Sequence, residues 1–158
     1  MERHYKYISE NSLKYVFLHD CCCSRIHFAD NKLIFEMEWM EILAQHPLNP
    51  YPQAHQSGPG IIELVHPRII ECTLAESSIA QNNPQSIPLS MVEELDFCDA
   101  EFRYYTETKN DKCYQAEMYL AFNERNSLHY GVFIHIAYGK SVVMWNELND
   151  ISWFEDDI

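Results

Sequence analysis

An all-β fold is predicted for this chain by three observations. Apolar and polar residues alternate over long runs, most clearly Tyr114 to Phe122 and Leu128 to Tyr138. Turn-forming clusters cut the chain between those runs, as at Ala29-Asp30-Asn31-Lys32 and Gly139-Lys140. Helix-start signals are confined to one short stretch. Together they predict an antiparallel sandwich or strongly curved sheet of seven or eight strands with one short helix, and an α+β arrangement is the second choice.

The elements follow in order. Tyr15 to Met40 reads as strand, break, strand, turn, strand: an apolar run ends at His19-Asp20-Cys21-Cys22-Cys23, Ile26 and Phe28 resume it, and Leu33, Phe35, Met37 and Trp39 alternate after the turn. A helix over Phe35 to His46 competes with this reading, since Phe35, Trp39, Ile42 and Leu43 lie near helical spacing, but the alternation favours a strand. Residues 46–60 carry Pro47, Pro50, Pro52 and Gly58-Pro59-Gly60, which exclude a central strand or helix interior and predict a long surface loop. Ile62, Leu64, Ile70, Cys72 and Leu74 share one predicted face of the next strand region, with a bulge, a bend or an edge position near His66-Pro67. Gln81-Asn82-Asn83-Pro84 reads as a turn. The short helix is placed at Leu89 to Leu95, where Ser90 and Glu93 form a capping pair.

Phe102 to Thr106 is a further strand. Tyr114 to Phe122 and Leu128 to Tyr138 form a long hairpin across Asn123 to Asn126, and Val142 to Trp145 follows the Gly139-Lys140 turn. Leu128 to Tyr138, if it lies unprotected at an edge, would invite sheet pairing between copies, so monomer and homodimer are both open.

Composition bounds the function. A chain of 158 residues, 47% hydrophobic, fits one domain over 1–158 that buries its own core. A formal charge of -13, from 24 Asp+Glu against 11 Lys+Arg, opposes nucleic-acid and anionic-membrane binding and suits a basic protein partner. No segment has signal-peptide or membrane-spanning character, which predicts a cytoplasmic protein. Three of the six cysteines are adjacent and the rest scattered, a pattern of reduced thiols acting as small hydrophobes.

Few residues suggest chemistry. On a continuous strand His19, Cys21, Cys23 and His27 would share a face, the one arrangement that could serve a metal or a thiol enzyme also drawing on Asp20 and Cys22. Spacing of i, i+2 along one strand closes a tetrahedron poorly, so no metal and no cofactor is expected. Asp20 is expected instead to accept backbone N–H bonds, and His19 to donate to a carbonyl, where the chain turns. Glu36, Glu38 and Glu41 read as the solvent face of a strand. Aromatic content of 13% exceeds what a small core hides easily. Trp39, Tyr51, Trp145, Trp153 and Phe154 are the candidate partner-binding residues, since Trp and Tyr are enriched at interfaces.

Phe17-Leu18-His19-Asp20, followed by Ile26 and Leu33-x-Phe35, resembles the opening of small uncharacterised bacterial β-rich proteins, some likened to immunity proteins of polymorphic toxin systems. The resemblance spans about the first quarter of the chain and departs from the pattern at the cysteine triplet. It implies a compact binding protein and no catalytic residues. The expected function is therefore a non-enzymatic protein-binding module, with an immunity-like inhibitor as its sharper form. A small metal- or thiol-dependent enzyme around His19, Asp20 and Cys21 to Cys23 is the alternative, and a small-ligand carrier would need an apolar pocket inside the sheet.

Overall fold

The computed structural model describes residues 4–76, 85–86, 96–122 and 129–155. Fourteen strands occur among them: β1 (Tyr7–Glu10), β2 (Val16–Phe17), β3 (Cys22–Ala29), β4 (Lys32–Met37), β5 (Glu41–Ile42), β6 (His55–Ser57), β7 (Gly60–Val65), β8 (Arg68–Glu76), β9 (Gln85–Ser86), β10 (Asp96–Lys109), β11 (Tyr114–Phe122), β12 (His129–Tyr138), β13 (Lys140–Trp145) and β14 (Leu148–Ile151). A single 3-10 turn covers Leu13–Tyr15. The number exceeds the seven or eight expected because bends split long runs and several strands are only two or three residues long. The all-β class is as the alternation predicted. The helix expected at Leu89 to Leu95 and the turns at 81–84 and 123–126 lie outside the described residues.

Ten strands form one antiparallel sheet in the order β1-β13-β7-β4-β3-β10-β11-β12-β8-β9. The β3-β4 hairpin turns on Asp30 (φ 53°) and Asn31 (φ 58°), consecutive left-handed residues that match the twist of the flanking strands. β4 is a strand, so the helical reading of Phe35 to His46 does not hold. β7 and β13 are neighbours toward one end of the sheet, while β8 and β12 are neighbours toward the other. Since β7 runs into β8 through His66-Pro67 and β12 into β13 through Gly139, both strands bend at a shared corner and the sheet folds back on itself. The corner is hydrogen-bonded: the Gly139 N–H donates to the Val65 carbonyl at 2.9 Å and the His66 N–H to the Asn31 carbonyl at 3.0 Å. His66 takes a φ of 53° and Pro67 has no donor to lose, as the predicted bend requires.

The fold-back packs Ile26, Leu33, Phe35, Ile62 and Leu64 against Phe102, Met118, Leu120, Val132 and Ile134, all buried. The Phe35 and Phe102 rings lie 5.6 Å apart across this core. Two expectations are corrected here. β12 is an interior strand between β11 and β8, so it offers no edge for pairing between copies. The face predicted for Ile70 is also reversed, because a register shift opposite His135 and Ile136 turns Ile69 inward and leaves Ile70 37% exposed.

A second sheet, β14-β6-β5-β2, sits beside the first and contains part of the proline-rich segment. That segment is not a plain surface loop: it supplies β6 and is organised by two buried polar residues. Asn49 Nδ2 lies within 3.2 Å of the Ile42 carbonyl and 3.1 Å of those of Leu43 and Gln53, and its Oδ1 accepts from the Tyr51 N–H at 2.9 Å. His46 accepts the Leu48 N–H on Nδ1 at 3.0 Å, so its Nε2–H is left to donate to Ser12 Oγ at 3.0 Å. Its ring meets the buried Trp145 edge-on at 5.1 Å. Prolines restrict the chain here and these side chains satisfy its backbone, which is why the segment is ordered.

Burial holds the His46 imidazole below its ordinary range. A histidine kept neutral in the fold contributes stability that is present above its unfolded value of about 6.5 and is lost as pH falls below it. Melting temperature is therefore expected to hold steady above about pH 7 and to decline as pH falls below about 6.5, more steeply for the native chain than for His46→Gln. Equal slopes in calorimetric scans of the two proteins would refute this.

Candidate functional site

Among the described residues the most exposed large aromatic is Trp153, at 59%. It lies just past β14, where a short clasp holds the chain. The buried Ser152 donates its N–H to the Ala54 carbonyl at 2.9 Å and its hydroxyl to Glu41 Oε2 at 2.5 Å. Glu155 Oε1 accepts the Ala54 N–H at 2.7 Å, and the Glu155 N–H closes a turn onto the Ser152 carbonyl at 3.0 Å. With both ends of Ser152–Glu155 tied, Trp153 points outward and Phe154 packs edge-on to Phe17 at 5.1 Å. Trp153 meets Phe154 at 5.4 Å and Phe17 at 6.4 Å, giving a contiguous aromatic cluster.

Glu41 anchors this clasp and is fully buried, which corrects its assignment to a solvent face. The strand through Phe35 and Met37 ends before Trp39, and the chain re-enters pairing at Glu41 in the second sheet, so the earlier alternation does not carry across. Its second oxygen accepts from Gln56 Nε2 at 2.8 Å. A buried carboxylate that lost either partner would carry a desolvation penalty of about 1–3 kcal/mol or more, so the clasp and the small sheet support each other.

Beside the cluster runs a surface groove of about 240 Å³, with Val16, Phe17, Leu18 and His19 on one wall and Arg103, Tyr104 and Tyr105 on the other. β10 bulges at Arg103: Phe102 pairs with Leu120 and Tyr104 with Tyr119, leaving Arg103 unopposed. The segment after β2 locks onto this bulge. The Asp20 N–H donates to the Phe102 carbonyl at 2.8 Å, the Phe102 N–H to the Cys21 carbonyl at 2.9 Å, and His19 Nδ1 to the Arg103 carbonyl at 2.9 Å. Arg103 Nη1 reaches Asp20 Oδ1 and Glu101 Oε1 at 3.4 Å each. His19 thus donates to a carbonyl as expected, whereas the Asp20 carboxylate faces Arg103; what suits Asp20 to the turn is its φ of 68°.

Behind Tyr105, a polar knot fills the sandwich end. Tyr138 donates its hydroxyl to Glu107, and the Tyr105 hydroxyl lies 3.3 Å from that of Tyr138. Burial raises the Glu107 carboxyl and both phenols above their ordinary ranges.

The cysteine triplet points mostly inward. Cys21 and Cys23 are 0% and 1% exposed, the Cys21 thiol donating to the Phe17 carbonyl at 3.6 Å and Cys23 lying 3.5 Å from Met37 Sδ. Burial, reinforced by the Glu41 charge, pushes the Cys21 thiol up to about 12, and burial puts Cys23 well above its ordinary value. Such thiols are poor nucleophiles and poor ligands. His19 is exposed and His27 half-buried against Glu36, and among the described residues no three His, Cys, Asp or Glu side chains gather as a metal site. The cavity inside the sandwich, lined by Ile26, Phe28, Leu33, Ile69, Cys72, Phe97 and Ile134, measures about 10 Å³, room for about one water.

Of the aromatic residues expected at an interface, Trp153 and Phe154 come together. Tyr51 is 46% exposed and stacks on His55 at 4.2 Å. Trp39 is half-buried against the core. Trp145 is fully buried, stacked on Tyr7 at 5.3 Å, and presents nothing to a partner. Phe17 is absent from that set, and His19 was read only as a turn residue or possible ligand; Phe17 could have been found because Tyr15-Val16-Phe17-Leu18 is apolar on both faces, too much for a strand with one buried side. No family model, curated protein or solved structure matches the chain, and no helix among the described residues is long and apolar enough to cross a membrane.

Alanine at position 20 must adopt the left-handed backbone without a polar side chain to favour it, at about 1–2 kcal/mol. The half-exposed Asp20–Arg103 pair adds little. Asp20→Ala is expected to lower the melting temperature by about 2–6 °C, while Asp20→Asn and Asp20→Gly stay near the native value; equal losses in all three would show that the carboxylate, not the backbone, carries the effect. In native protein at pH 8, iodoacetamide is expected to modify exposed Cys98 well before Cys21 or Cys23, and peptide mapping that found Cys21 or Cys23 labelled first would overturn the burial argument.

Proposed function

We propose that this protein is a non-enzymatic protein-binding module, of the kind an immunity-like inhibitor represents, and that Phe17, Trp153 and Phe154 form the centre of its contact surface. One observation carries the reading: Trp153 and Phe154 are held beside the exposed Phe17 by a clasp anchored on the buried pair Ser152 and Glu41. Exposing Trp153 costs solvation that a monomer has no reason to bear, and rigid aromatic anchors lose little entropy on binding. The excess of acid over base, -13 overall, suits a basic partner and would speed its encounter.

The alternative, a metal- or thiol-dependent enzyme at the cysteine triplet, is less well supported, because Cys21 and Cys23 are withdrawn from solvent and raised in pKa.

Purified protein is to be titrated calorimetrically against the products of the genes beside its own. A binding partner is expected among them, and the double variant Trp153→Ala, Phe154→Ala should weaken it by about 2 kcal/mol or more, about 30-fold, with little change in melting temperature. Full affinity in the double variant, or no partner among those products, would reject the reading.

A further inference from the structure

Among the described residues the groove between β2 and β10 is the surface feature whose chemistry selects a ligand most narrowly. Its walls are aromatic, Phe17 at 38% exposure and Tyr104 at 46% facing solvent beside it. On the β10 side, two carboxylates from different elements, Asp20 and Glu101, converge on one guanidinium, that of Arg103. That guanidinium is loosely held: both contacts are 3.4 Å long and the Arg103 side chain is 51% exposed. The same two acids therefore already receive a planar cation at the edge of the groove, where the Asp20 side chain is 42% exposed to solvent and that of Glu101 19%.

We propose that this groove takes an arginine side chain of a basic protein partner, which stacks on Phe17 and Tyr104 and shares or displaces Arg103 at Asp20 and Glu101. The proposal rests on the protein-binding reading and names the chemistry that the partner presents. Arginine fits better than lysine, because a guanidinium can stack on an aromatic face while its edges donate to two separate carboxylates. Size agrees, since about 240 Å³ is below the usual range of about 300–1,000 Å³ for small-molecule pockets and suits one long side chain. Charge agrees as well. Asp20, Glu101 and the nearby Glu107 outnumber Arg103 and Lys14 locally, in a chain of net charge -13. Arg103 thus acts as an internal competitor, filling in the free protein the position that the partner's arginine would occupy.

The competitor role makes a prediction that general acidity does not. In heteronuclear NMR titrations with a nine-residue arginine peptide, shifts are expected to centre on Phe17, His19 and Tyr104, with a peptide of citrulline in place of arginine giving none. Arg103→Ala is expected to tighten the arginine peptide several-fold, because it frees both carboxylates and removes a like charge. Tyr104→Ala and Asp20→Asn are each expected to weaken it several-fold, the asparagine keeping the left-handed turn. Shifts scattered over acidic surface, with equal affinity in all three variants, would overturn the proposal. Shifts confined to Trp153 and Phe154 would overturn it and leave the binding-module reading intact, and citrulline binding as well as arginine would remove the charge argument.

Discussion

The shared bend at His66-Pro67 and Gly139 is the constraint on which the architecture depends. Two neighbouring strands turn there together, kept in register by the Gly139 N–H on the Val65 carbonyl. Without that turn β8 and β12 would continue away from β7 and β13, and the ten-stranded sheet would have no second layer to bury Phe35, Ile62 and Leu64. The chain meets the need with residues suited to a corner: a histidine in the left-handed region, a proline with no donor to lose, and a glycine where the ladder passes from one layer to the other.

The surface features follow from how that core is closed at its edges. β2 is an edge strand of the small sheet, so Phe17 has neighbours on one side and solvent on the other. The segment leaving β2 is pinned to the β10 bulge by three hydrogen bonds, which sets the groove width. On the far side Glu41 holds Ser152 and with it the aromatic pair. Buried and part-buried polar bonds thus fix the positions of exposed aromatic side chains.

Polar residues carry more of this organisation than their number suggests. Glu41, His46, Asn49 and Ser152 are all buried, and each bonds across elements distant in sequence or closes a loop on itself. They explain why a segment with three prolines between residues 46 and 53 is ordered, and why the small sheet of mostly two- and three-residue strands persists. A strand that short has too few ladder bonds to hold alone.

Local pattern determined the all-β class, the long β11 and β12 strands, the Asp30-Asn31 hairpin and the break at His66-Pro67, because alternation, turn chemistry and proline act over a few residues and need no partner. The inward role of Cys21, Cys23 and Cys72 and the carbonyl bond of His19 were legible for the same reason, whereas Cys98 lies exposed. Pairing order was not: Leu128 to Tyr138 reads as a possible edge until β8 is seen to cover it, and nothing near Glu41 foretells that Ser152 and Gln56 will bury it. Trp145 and Trp153 are alike as residues, yet one is sealed against Tyr7 and His46 while the other is held out by the clasp. The candidate site belongs to this second class. It is assembled from β2, the bulge of β10 and the segment after β14, and only contacts between residues far apart in sequence decide which aromatic side chains remain at the surface.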